Sequence, residues 1–238
     1  MPGTNAYPAV EMRTGRREHQ RLWRPLLLAL AAALALGLVG RIAVHAGTGL
    51  PHGRAIGAVG HTAVALGAPW LAVAWIVGTY GGSRTRGAVS GAAALVLGTG
   101  AWYLLTIVGG LIDGWAAASY AVPVAAAWGV VALGAGGIFG FAGAVWRERE
   151  PRLRAAAIGL LSGALAGEAL LLMHEWPGRA AAFVLSAELA AGLGLVALGR
   201  RRAPLALTLL FFAVATLAVI GTEGVVRDAL RLAGWAGP

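Results

Sequence analysis

The 238-residue chain is 58% hydrophobic and 12% charged, where an ordinary soluble domain carries about 25% charged residues, so a water-soluble globule is excluded. Its formal charge is +9 and its cationic side chains are all arginine, parcelled between apolar runs and not gathered on one face. That excludes a nucleic-acid binder and fits attraction to anionic lipid. Cysteine is absent, which excludes disulfides, thiolate catalysis and cysteine-held metals.

Residues 1–24 are polar, carry Pro2, Gly3, Pro8 and Gly15, and read as a disordered cytoplasmic tail. Seven apolar stretches follow, near 25–46, 55–80, 87–112, 120–146, 155–173, 180–199 and 203–221. Each is long enough for a helix to cross a hydrocarbon layer of roughly 30 Å. The connections between spans two to seven, at 81–86, 113–119, 147–154, 174–179 and 200–202, are short, which makes those consecutive helices antiparallel neighbours in one bundle. The fold class is therefore all-α, a polytopic transmembrane bundle, with residues 25–221 as a single domain. No period-two alternation suggests a β-barrel. Residues 222–238 are expected to form a short interfacial tail. There Val226, Leu230 and Trp235 share one face, and Glu223, Arg227, Asp228 and Arg231 lie in water.

The arginines give the orientation. Fourteen of the nineteen fall in alternate gaps, at 13–24, 84–86, 147–154 and 200–202. Short loops rich in Arg stay on the cytoplasmic side, so the N-terminus is inside and the C-terminus outside. Exclusive use of Arg over Lys, with 37 glycines, looks like GC-rich codon bias and points to a bacterial inner membrane. A secretory signal ending at Val44-His45-Ala46 is the rival reading of the first span. The long polar stretch ahead of it, and Arg41 near its end, argue for retention.

Glycines recur at four-residue spacing: Gly87 and Gly91, Gly136 and Gly140, and Gly159, Gly163 and Gly167. Small residues let membrane helices approach closely. Packing within the bundle is the simpler reading, and a homo-oligomer or partner helix on the Gly159 ridge the sharper one. Ser162-Gly163 suggests an intramembrane serine protease. Leu160 stands where that enzyme needs glycine, however, and span six supplies no histidine as base.

Three ionisable groups sit within spans: His61, Glu168 and Glu188. Counted at 1.5 Å per residue from Arg54, His174 and Arg179, they lie roughly 10, 9 and 13 Å inside the outer boundary. Arg41 is near that layer. Such groups normally face a bundle interior. Glu168 and Glu188, on antiparallel neighbours, have the opportunity to meet, in which case one carboxyl holds a proton. The structural alternative pairs either acid with Arg41 or His61, or leaves it protonated and hydrogen-bonded to a neighbouring backbone carbonyl. Trp70 after Pro69, then Trp102, Tyr103 and Trp128, supply an apolar wall, so the set sketches an outward-facing cavity. Trp115, Tyr120, Trp176 and Tyr80 read as interfacial belt. No metal-ligand spacing, phosphate loop or dinucleotide fingerprint occurs, so no metal, cofactor or catalytic residue is assigned.

The stretches Gly67-Ala68-Pro69-Trp70-Leu71 with Gly78, Trp102-Tyr103, Trp128, 136–147 and 163–170 around Glu168 carry a resemblance. Over roughly residues 57–199 the chain resembles a bacterial family of multi-pass membrane proteins described only as a domain of unknown function. The resemblance implies one bundle and no activity. The expected function is small-solute transport or membrane solute binding, through Glu168, Glu188, His61, Trp70, Trp102, Tyr103 and Arg41. The alternatives are a structural or partner-binding membrane protein without catalysis and, more weakly, a membrane enzyme acting on a lipophilic substrate. The bilayer is the expected partner, with a small-molecule ligand.

Overall fold

Pro69 decides where the first described helix begins. Proline lacks an amide hydrogen and has φ already fixed near the helical value, so it is tolerated in a first turn and not inside a helix. Accordingly Leu66 and Gly67 are not helical, and α1 runs over Ala68–Gly78 with the proline in its first turn. The expected continuous second span from 55 to 80 is corrected here, because its described part is an 11-residue helix that starts at Ala68. These observations come from a computed structural model that describes residues 27, 30, 31, 34 and 35, then 66–113, 115–175 and 178–232. Residues 27, 30, 31, 34 and 35, within the first expected span, are helical; the rest of that span and the start of the second lie outside the described residues.

Five longer helices follow: α2 (Arg84–Asp113), α3 (Trp115–Val145), α4 (Pro151–Glu175), α5 (Arg179–Gly199) and α6 (Leu205–Leu232). No strand occurs among the described residues. Each of the five is long and apolar enough to cross a membrane, whereas α1, at about 16 Å by its helical rise, reaches only half-way. Gly82, at φ +73°, sits in the turn between α1 and α2, a backbone conformation that glycine adopts without Cβ strain.

Helix α4 is the axis of the bundle. Its apolar stretch is 72% buried and it packs against α1, α3, α5 and α6, while those of the other four long helices are 17–33% buried. Their outward faces carry Val89, Leu104, Val130, Leu133, Leu198 and Leu217, all exposed. Polar groups run the other way: Ser162, Glu168, Thr208 and Arg227 are buried. Apolar outside and polar inside is the arrangement of a membrane-embedded protein, since soluble proteins do not present apolar surface on this scale.

Glycine sets how closely the helices cross. A Cβ on Gly78 would lie 2.0 Å from the Gly140 carbonyl oxygen, and one on Gly143 would lie 1.9 Å from that of Trp75. Gly91 meets Gly136 and Gly140 across α2 and α3 in the same manner. The ridge of Gly159, Gly163 and Gly167 is covered by α6, against Phe211, Phe212, Ala215, Thr216 and Val219. Thr216 also donates through Oγ1 to the Gly163 carbonyl at 3.2 Å. The ridge thus serves packing inside the chain, and a partner helix would have to displace α6 to reach it.

Two features of the C-terminal region differ from expectation. Helix α6 does not stop near Gly221 but continues to Leu232. Arg227, expected in water, is buried at 2% exposure. The physical reason is a charge partner inside the bundle. Asp228 and Arg231 do remain exposed, 3.0 Å apart, and Trp235 lies outside the described residues.

Candidate functional site

A helix start leaves its first amides without intrahelical acceptors. At the start of α1, Pro69 has no amide to satisfy, and Leu71 N begins the ladder by donating to the Gly67 carbonyl at 3.1 Å. The amides of Gly67 and Ala68 are met by one side chain from α4. Gly67 N donates to Glu168 Oε1 at 2.7 Å, and Ala68 N donates to Oε2 at 2.5 Å. A carboxylate is favoured there because aligned peptide dipoles leave partial positive charge at a helix N-terminus. The local sequence has no Ser, Thr, Asp or Asn at the cap position, where Gly67 stands, so the cap is supplied from 101 residues away.

Arg227 completes the arrangement. Its Nη2 donates to Glu168 Oε1 at 2.9 Å, and both side chains are 2% exposed. Glu168 therefore ties α4 to the start of α1 and to the last two turns of α6. It lies seven residues before the end of α4, about 10 Å from the end opposite the arginine-rich loops. Its expected burial is borne out. Its ion-pair partner is Arg227, a residue the loop-charge reading had assigned to a hydrated tail.

Glu188 is also buried, at 6% exposure, on the packed face of α5 that carries Val184, Leu185 and Gly192. Val184 and Leu185 belong to one cluster with Leu66, Ala169 and Leu172, while Gly192 abuts the Ser162 carbonyl. Helices α4 and α5 are thus antiparallel neighbours, and Glu188 stands opposite the turn of α4 around residues 165–169. Trp70, two residues beyond the Ala68 amide, packs against the cluster of Leu95, Ala132, Leu161, Ala164 and Leu165. Trp102 is seven residues beyond Leu95 on the same face of α2, and Trp128 is one turn before Ala132 on α3. Both place aromatic bulk one or two turns further toward the arginine-poor end; with Tyr103 beside Trp102, all three are partly buried. His61 and Arg41 lie outside the described residues.

The arginine-rich end is assembled by direct contacts. Arg84 makes a two-pronged ion pair with Glu148, Nε to Oε1 at 2.6 Å and Nη2 to Oε2 at 2.5 Å. The hydrogen bond from Arg84 holds the Glu148 carboxyl below its usual value. Arg154 donates to the carbonyls of Arg202 and Glu148 at 2.8 and 2.5 Å, tying the α3–α4 and α5–α6 connections together. Arg147 stacks over Tyr80 and Arg202 over Trp146, with the guanidinium carbon 5.4 and 5.6 Å from the ring centres.

A single family model matches residues 16–227, which takes in every helix described above except the last turn of α6. The chain belongs to DUF6518, a family of unknown function. No curated protein and no solved structure matches it. The membership agrees with the resemblance read from residues 57–199 and extends it to nearly the whole chain.

The sequence does carry a signal for Arg227: a buried acid on one span calls for a cation at similar depth on another. The run Val225-Val226-Arg227 continues the apolar stretch of α6 past the polar Thr222-Glu223-Gly224, at which the span seemed to end.

Proposed function

We propose that this DUF6518 chain is a multi-pass protein of a bacterial inner membrane that binds or carries a small solute. Its arginine-rich ends face the cytoplasm, and its site opens toward the opposite side. One observation carries the reading: a carboxylate is held at the N-terminus of a half-length helix, deep in the bundle, with a buried arginine. Membrane carriers use the ends of discontinuous helices in this way to hold charged groups within the bilayer. Intramembrane charges cost several kcal/mol even on lenient scales and generally mark function.

In this reading Glu168 and Arg227 fix the position of α1, and Glu188 offers the solute a carboxyl one helix away. Trp70, Trp102 and Tyr103 form the apolar wall, and Arg41 and His61 close the set. The structural alternative is favoured by a different observation, the hold on Glu168 by two amides and a guanidinium. Under it, Glu168 and Glu188 matter for stability and for nothing else.

The two separate in a strain that lacks its own copy and shows a measurable defect. Glu188→Gln is expected to restore folded protein to wild-type levels but not the function, with residual activity on the order of a hundredth, the low end of what a single essential ionisable group contributes. Full rescue by both Glu188→Gln and Glu168→Gln would remove the solute-site reading and leave the structural one.

A further inference from the structure

The loops and helix starts at the arginine-rich end bring nine arginines together, at 84, 86, 147, 149, 152, 154 and 200–202, with two acids, Glu148 and Glu150. Glu148 is already taken by Arg84. Arg154 is held by two carbonyl groups, which take two of its five donors without cancelling its charge. Its two bonds draw the α3–α4 and α5–α6 connections together, so that Arg149, Arg152, Arg200, Arg201 and Arg202 crowd one end of the bundle with every one of them exposed. Stacked on Trp146, Arg202 keeps its planar edge of donors for a tetrahedral oxyanion.

We propose that this end binds the phosphate headgroups of anionic phospholipids, with its centre between Arg154, Arg202 and Trp146. What selects a lipid over nucleic acid or an acidic protein is the collar beside the arginines. Leu198, two residues before Arg200, is 78% exposed, and Leu205, three residues after Arg202, is exposed too, as are Ile138 and Phe141 further along α3. A polyanion in water has no use for that apolar surface, whereas an amphiphile covers both parts at once. A basic patch between helix ends with apolar flanks is how membrane proteins recognise acidic headgroups. The inference rests on the chain being membrane-embedded and is independent of any solute site.

Protein purified in non-ionic detergent can be titrated with dioleoyl phosphatidylglycerol, dioleoyl phosphatidylcholine or inorganic phosphate, reading bound lipid by native mass spectrometry and the melting temperature. Phosphatidylglycerol is expected to be retained on the order of tenfold better than phosphatidylcholine and to raise the melting temperature, while phosphate alone does neither. The triple variant Arg200→Gln, Arg201→Gln, Arg202→Gln should lose that preference with its circular dichroism unchanged, and Arg179→Gln at the other end should keep it. If the triple variant fails to fold, Arg149→Gln with Arg152→Gln serves instead, with the same expected loss. Equal retention of the two lipids, a preference that survives the loop substitutions, or an equal response to free phosphate would overturn the proposal. Recovery of the chain in the aqueous fraction after carbonate extraction would instead overturn the membrane reading beneath it.

Discussion

Arg227→Ala is expected to lower the stability of the bundle by about 3–5 kcal/mol, because it leaves a carboxylate in a 2%-exposed position without its guanidinium. Glu168 would keep its hydrogen bonds from Gly67 and Ala68, but two amides and a helix end offset only part of a full buried charge. The reciprocal change, Glu168→Ala, should be at least as costly, since it removes the ion pair with Arg227 and uncaps α1 together. Replacing both by apolar residues of similar size, Glu168→Leu with Arg227→Met, should recover part of the loss. A buried pair can be worth little over a well-packed apolar one although breaking it is expensive. Melting in detergent micelles provides the comparison. A loss below about 1 kcal/mol for Arg227→Ala, the range of exposed ion pairs, would place the guanidinium in water.

The second large effect is steric. Gly78→Ala puts a methyl group 2.0 Å from the Gly140 carbonyl oxygen, and the obstruction is backbone, which no rotamer change can move. Helix α1 would have to shift off α3, carrying with it the amides that hold Glu168. The expected cost is about 3 kcal/mol, the upper end of ordinary overpacking. Gly137→Ala supplies the control: it lies on the same helix as Gly136 and Gly140, yet its added methyl meets nothing within 4 Å. It should be neutral or stabilise by up to about 1 kcal/mol through helix propensity. Equal melting temperatures for the two variants would contradict the close crossing.

Much of the architecture was legible in the residues. The apolar runs that became α2 to α5 were bounded correctly to within a few positions, because span length and loop arginines report directly on helix ends. The burial of Glu168 and Glu188 followed from the same count. The glycine ridges announced tight crossings, although which helix fills a ridge depends on how the helices assemble, and the Gly159 ridge went to α6.

What hydropathy could not show lay where one residue type serves two environments. Arg227 reads as a hydrated tail residue when neighbouring Thr222, Glu223, Asp228 and Arg231 are averaged with it, and only pairing with Glu168 makes its burial intelligible. Likewise Pro69 was visible as a break, but nothing local indicated that Glu168, a hundred residues away, would cap the helix it opens. Long-range capping of this kind leaves no periodicity.

The central claim is that Glu168, the start of α1 and Arg227 form one coupled unit at the heart of the bundle. A double-mutant cycle tests it most directly, using Glu168→Gln, Arg227→Gln and the pair, with reversible unfolding followed in mixed micelles. Coupling of about 2 kcal/mol or more is predicted, with the double variant more stable than the sum of the single losses implies. Losses that add to within about 0.5 kcal/mol would show two independent residues and contradict it.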